Sequence, residues 1–185
     1  MQAGKEGRVV GASSRFIARE VAPEDIQFND KIQALCRNPY RGHKGGCPNC
    51  GKKRGCPPGE PLIDQVLDLR RGSLYALVTE YSVGEFAQRM LEAHPDWKDK
   101  MGNCYNIIRW QGNERKVHRE ETRKFLQGHE GLIADESPEA HGVNVTRLLK
   151  AAGIAISWAS PWPPKHDVNN KVRRVSLAGY PKARE

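Results

Sequence analysis

Four of the five cysteines lie between residues 36 and 56, and this clustering is the clearest chemical signal in the sequence. Thiolates are soft ligands that suit zinc and iron–sulfur clusters. Two residues separate Cys47 from Cys50, a spacing that lets both sulfurs approach one centre. Five residues lead on to Cys56 and ten separate Cys36 from Cys47, so all four sulfurs can converge, since an extended chain spans roughly 3.3 Å per residue. The spacing predicts one metal site formed by Cys36, Cys47, Cys50 and Cys56.

The charges around these cysteines favour the same interpretation. Four thiolates around zinc or an iron–sulfur core leave a net charge of about −2, and nearby cations both offset that charge and lower thiol pKa values. Residues 36–56 contain no Asp or Glu and six cations, which are Arg37, Arg41, Lys44, Lys52, Lys53 and Arg54. Free thiols are the alternative reading of the same cluster.

The identity of the metal is less sharply indicated. Zinc sites usually contain two close ligand pairs, whereas this segment has one, and prolines follow Cys47 and Cys56 as they follow ligands in ferredoxin-type motifs. We therefore expect an iron–sulfur cluster, with zinc as the alternative. His43 could replace one cysteine around zinc, although a histidine in a basic loop is more often solvated. Cys104 stands apart, and we expect it to be a small core residue.

The segment that carries these cysteines cannot form a regular element. Residues 36–61, here called the cysteine loop, hold six glycines and five prolines, which exclude a regular helix or a central strand. On either side, strand and helix patterns roughly alternate. We expect an α/β or α+β fold, in which a single domain over residues 14–185 has a small sheet flanked by helices, and residues 1–13 form a flexible tail.

Hydrophobic periodicity and capping signals locate the elements. Ser82 and Glu85 have the spacing of a capping box, and Glu120 and Lys124 form a helical i,i+4 pair. The segment 105–110 fits either strand or helix. The predicted strands are 15–21, 74–81, 154–158 and an edge strand 172–177; the predicted helical segments are a short one from 23 towards 35, then 62–69, 82–94, 114–127 and 143–152.

Composition limits the class of protein. The chain has 185 residues, a formal net charge of +8 and a mean hydropathy of −0.70, values typical of a basic globular protein. No apolar stretch approaches the roughly 20 residues that cross a bilayer, and no apolar signal core is present near Met1. We therefore expect a cytoplasmic protein without a membrane partner, in a compartment where structural disulfides are disfavoured.

Three further segments extend the pattern beyond the cysteines: 21–26 ahead of Cys36, the Cys56-Pro57-Pro58 end of the cluster followed by helix and strand, and 138–145 with the sequence PEAHGVNV. In this order, over roughly residues 14–160, they resemble a family of bacterial and archaeal proteins known as predicted metal-binding proteins. The resemblance implies metal binding without naming a reaction. Members of that family carry a second cysteine group that residues 128–138 lack, so a second cluster is not expected here.

Two functions follow from these patterns. The first is a redox or accessory protein that serves a partner protein through its cluster, since four protein ligands leave no position for substrate. The second is a zinc-stabilised module that binds nucleic acid through the basic loop. Its other expected contacts are cations and aromatic residues elsewhere, namely Lys165, Lys171, Arg173, Arg174, Tyr40, Trp158 and Trp162.

Catalysis has the least support. His118 precedes Glu121 by three residues on a predicted helix, which is a spacing for a base and an orienting carboxylate, but such pairs are common on exposed helices. The chain contains no P-loop, dinucleotide fingerprint, nucleophile elbow or H-E-x-x-H motif. No enzyme class is therefore assigned.

Overall fold

The structure is a computed structural model that describes residues 8–9, 14–39, 43–100, 107–156 and 171–183. Strands and helices are mixed along the chain, so the predicted fold class, a single α/β or α+β domain with a small sheet and helices, is confirmed. The strands are β1 (Arg8–Val9), β2 (Ser14–Val21), β3 (Leu74–Ser82), β4 (Ile133–Asp135) and β5 (Lys171–Gly179).

The sheet has the order β1-β2-β3-β5-β4. β1, which lies in the predicted tail, pairs antiparallel with β2, and β4 pairs antiparallel with β5, with Ile133 opposite Gly179. The other tail residues lie outside the described ranges. β5 is thus an internal strand, and its prediction as an edge strand is wrong, because the three-residue β4 covers its outer side.

Helices form where capping and periodicity predicted them, with shifted ends. The Ser82 side chain accepts a hydrogen bond from the Glu85 N–H at 3.2 Å, which caps the third helix. The predicted helix 62–69 shrinks to four residues because Leu67 is extended (φ −114°, ψ 141°). Among the described residues, no helix has both the length and the apolar character of a membrane span. The helices are α1 (Asp30–Ala34), α2 (Ile63–Val66), α3 (Val83–Ala93), α4 (Ile107–Gln127) and α5 (Val145–Ala151), with 3-10 turns at Pro23–Asp25, Leu35–Arg37 and Pro95–Lys100.

The predicted strand 154–158 is wrong for its described part, because residues 154–156 are in no strand and Ile154 bonds back to α5. Gly153 has φ +69° and its N–H donates to the Lys150 carbonyl, while the Ile154 N–H donates to the Leu149 carbonyl. These two bonds form a Schellman motif, in which an apolar residue after the glycine packs back on the helix. Residues 157 and 158 lie outside the described part.

Contacts group the chain into two compact units of three segments each, and three of the boundaries fall within β2, β3 and β5. The first unit is Met1–Ala18, Leu77–Gly128 and Ser157–Arg174; the second is Arg19–Ala76, His129–Ile156 and Val175–Glu185. Each has its own buried apolar residues. In the first unit, Tyr81, Phe86 and Trp110 belong to one cluster. In the second, Ile63 and Leu67 are fully buried.

Candidate functional site

The cysteine loop, in the second unit, is closed at its start by a backbone hydrogen bond between two cysteines. Cys36 lies in the 3-10 turn after α1, and its carbonyl accepts the N–H of Cys47 at 2.7 Å. Gly46 makes this approach possible: it has φ +82°, and a Cβ there would lie 2.6 Å from the Cys36 carbonyl oxygen. Only glycine fits such a position without displacing backbone.

Two further links join the remaining cysteines. The Cys50 N–H donates to the Cys47 carbonyl at 3.0 Å, which makes the segment between them a tight turn. The Pro57 carbonyl, next to Cys56, accepts the Gly51 N–H at 2.7 Å and lies 3.3 Å from the Cys50 thiol. All four predicted ligands are therefore carried by backbone segments that are hydrogen-bonded to one another.

The four thiols share one neighbourhood without forming a ready-made ligand set. All four side chains are free and partly exposed. Burial raises the pKa of the Cys36 thiol, and electrostatic repulsion from Cys47, Cys50, Cys56 and Glu139 raises that pKa further. As the side chains are placed, no group of three or more Cys, His, Asp or Glu residues in the described ranges has the arrangement to hold a metal ion.

The second unit holds this loop through side chains that the sequence did not single out. The Gln33 amide is buried and donates to the carbonyls of Glu60 and Ala140, each at 2.9 Å. The Glu60 carboxylate accepts the Gly55 N–H at 2.8 Å. The two Gln33 bonds join residues 27 and 107 positions apart, too far for any local pattern to reveal them. The Gly55–Glu60 bond is local, because its partners are five positions apart.

Next to this attachment lies a histidine–aspartate pair that was also missed. Nδ1 of His141 lies 2.8 Å from the Pro61 carbonyl oxygen, and Nε2 lies 3.6 Å from Oδ1 of Asp135. Burial raises the pKa of the Asp135 carboxyl, against the opposing effects of His141 and the Ser137 N–H. Oδ2 of Asp135 is buried with no hydrogen-bond partner in the described part. The only sequence signal was His141 within PEAHGVNV.

A cation-lined cleft opens beside two of the cysteines. Its volume is about 530 Å³, and Cys47 and Cys50 line it together with four basic side chains, which are Arg37, His43, Lys44 and Lys52. Of the other predicted contacts in the loop, Tyr40 and Arg41 lie outside the described residues.

A second polar cluster lies in the first unit, on the buried face of α4. We call Glu114, His118, Glu121 and Thr122 the polar row; each is 5 % exposed or less. Nδ1 of His118 lies 2.8 Å from Oγ1 of Thr79, whereas Glu121 accepts from Lys124 at 2.7 Å. His118 and Glu121, the hypothesised dyad, therefore have contacts with Thr79 and Lys124, respectively.

Two of the predicted nucleic-acid contacts are paired with carboxylates of the first unit. Arg174 donates to Glu114 at 2.7 Å, and Arg173 donates to Glu80 at 2.7 and 2.9 Å. Burial, followed by Arg174 and Arg119, lowers the pKa of His118 to about 4. Arg173 and Arg174 therefore neutralise buried carboxylates. Of the remaining predicted contacts, Lys171 lies in β5. The other three, Trp158, Trp162 and Lys165, are outside the described residues, and so is Cys104.

Segment 138–145, one of the three that carry the family resemblance, contacts α2 and residues 27 and 28, which follow segment 21–26, in the second unit. The Asn144 N–H donates to the Gln27 carbonyl at 2.8 Å, Phe28 pairs with Val143, and the Ile63 N–H donates to the His141 carbonyl at 3.0 Å. No protein-family model matches the chain, and comparisons with curated proteins and with solved structures found no significant match. The resemblance therefore stays a prediction.

Proposed function

We propose that the cysteine loop binds one metal centre through Cys36, Cys47, Cys50 and Cys56, and that the protein serves as a redox or accessory partner of another protein. The observation that carries this proposal is the set of backbone links from Cys36 to Cys47, from Cys47 to Cys50, and from Gly51 to Pro57. They hold four cysteines, 20 positions apart at most, in one small loop.

Ligation requires the thiols to lose their protons and turn towards a common centre. The glycine turns at Gly46, Gly51 and Gly55 surround the cysteines, and the side chains are half-buried at the surface, so short side-chain rotations can bring the sulfurs closer. Metal binding contributes roughly 10–16 kcal/mol in small zinc modules, far more than such rotations cost.

An iron–sulfur cluster is the expected centre and zinc the alternative. A redox role needs a centre near the surface, because a partner must approach it, and the partial exposure of all four thiols supports such a role. Zinc in the same loop would support an accessory or nucleic-acid-binding role, since it has no redox chemistry.

Metal analysis and visible absorption of protein purified with and without oxygen test the proposal. We expect either a brown protein with thiolate-to-iron absorption or a colourless one with about one zinc per chain. Cys→Ser at each of the four positions should abolish most of the bound metal, whereas Cys104→Ser, the matched control outside the loop, should retain it. Metal-free protein from both preparations would overturn the proposal.

A further inference from the structure

The cleft beside Cys47 and Cys50 has the size and lining of a ligand site. Pockets for small ligands have volumes of roughly 300–1,000 Å³, and this one has about 530 Å³. Its polar lining is dominated by positive side chains, while backbone without side chains at Gly45 and Gly46 adds to the wall. An anion is therefore the class of ligand that fits.

Three cations of the cleft have no ion pair with an acidic side chain in the described part of the chain. None of the described carboxylates forms an ion pair with Arg37, Lys44 or Lys52. The nearby Glu60 is held by the Gly55 N–H at 2.8 Å. In the first unit, by contrast, Arg173 and Arg174 are paired with carboxylates. The cleft thus has unneutralised charge available to a ligand.

We propose that this cleft binds the phosphate groups of an anionic ligand. Arg37 offers a planar fork that suits two phosphate oxygens, while Lys44 and Lys52 act as point charges on flexible stems. Phosphate carries more charge than a carboxylate and so gains more from three cations that line one cleft. Anion binding in the cleft does not require a metal centre. With a metal bound, the five described cations of the loop still exceed the charge of about −2 that four thiolates around the metal would add.

The phosphates have two sources, a small phosphate compound or the backbone of a single-stranded nucleic acid. The first arm of the test measures pyrophosphate binding by isothermal titration calorimetry. The second measures fluorescence anisotropy of a short labelled oligothymidylate at several salt concentrations. Binding in the first arm identifies a small-phosphate site, and binding in the second alone identifies a strand-binding site.

Paired variants locate the site within the loop. Lys44→Gln with Lys52→Gln removes two cations of the cleft, whereas Lys53→Gln with Arg54→Gln removes two exposed cations of the same loop that do not line it. We expect the first pair to weaken binding about tenfold at low salt. For the oligonucleotide, its salt slope should fall by about 1.4, which is 0.7 for each lost phosphate contact. The second pair should change affinity less than about twofold.

Two results would overturn the proposal: no binding of either probe at low salt, or equal weakening by both pairs of variants, which would indicate a diffuse charge effect. Metal content is measured on the same preparations. Full metal with no anion binding refutes the cleft alone, and anion binding by metal-free protein refutes the metal centre alone.

Discussion

The cysteine loop and the polar row differ in whether their charged side chains are exposed or buried and paired. In the loop, cations such as Lys44 and Lys52 line an open cleft and the thiols are partly exposed. In the polar row, Glu114 is 2 % exposed and bonded to Arg174, and His118 is fully buried. A buried charge needs an oppositely charged partner because desolvation is expensive, whereas an exposed charge stays hydrated and is available to a ligand.

This difference explains why a net charge of +8 does not by itself locate a binding surface. Arg173 and Arg174 are as basic as the loop residues, yet they neutralise Glu80 and Glu114. Net charge describes the whole chain, but only a cation without an internal partner attracts an external anion. The loop is therefore the better candidate for a functional site, and the polar row is the better candidate for a stabilising one.

The largest expected effect comes from breaking the buried ion pair. Arg174→Met leaves the Glu114 carboxylate buried without its cation, which we expect to lower the free energy of unfolding by about 3–5 kcal/mol in urea titrations. Glu114→Gln added to Arg174→Met should recover most of that loss. Lys53→Met in the loop is the control and should change stability by less than about 0.5 kcal/mol. Equal effects of Arg174→Met and Lys53→Met would erase the contrast between the regions.

The next effect is a dependence of stability on pH that comes from His118. Its pKa is lowered from 6.5 to about 4 in the folded protein, so between these values the unfolded state binds more protons. The free energy of unfolding must therefore fall as the pH falls through this window, by about 3 kcal/mol in total. His118→Asn, which keeps a polar atom for Thr79, should remove this component from urea titrations repeated across pH.

Val143→Ala is the control for that experiment. Val143 is 1 % exposed and does not titrate, so its truncation should lower stability by a similar amount at every pH. If His118→Asn keeps the wild-type slope between pH 6.5 and about 4, another group is responsible for the acid sensitivity.

Local patterns predicted those parts of the fold whose signal lies within a few residues. The largely buried run of β3 and the Ser82 cap of α3 are examples, and both formed as expected. β4 has three residues, too few for a periodic signal, and without it β5 was assigned to an edge. An apolar residue at Ile154 suits both a strand and the position after the glycine of a Schellman motif, so composition alone could not distinguish the two structures.

The candidate site divides in the same way. Cysteine spacing predicted the residues of the candidate site, and hydrogen bonds link their backbone segments in the structure. The spacing contained no information on Gln33, whose partner Ala140 is 107 positions away, or on Glu80 and Arg173, which are 93 apart. Such contacts depend on the tertiary fold, and a pairing of charges across that distance leaves no periodic trace in one sequence.

The smallest expected effect is confined to the loop. Gly46→Ala places a methyl group 2.6 Å from the Cys36 carbonyl oxygen at φ +82°, so the Cys47–Cys36 hydrogen bond must open or distort. We expect a cost of about 1–3 kcal/mol, measured as faster hydrogen exchange at the Cys47 amide, together with lower metal content. Gly45→Ala is the matched control, because nothing lies within 4 Å of its Cβ position. Since the strain acts on one hydrogen-bonded turn of an exposed loop, exchange at buried amides of β3 should stay unchanged. A global loss of protection would instead mean that the loop and the rest of the protein unfold as one cooperative unit.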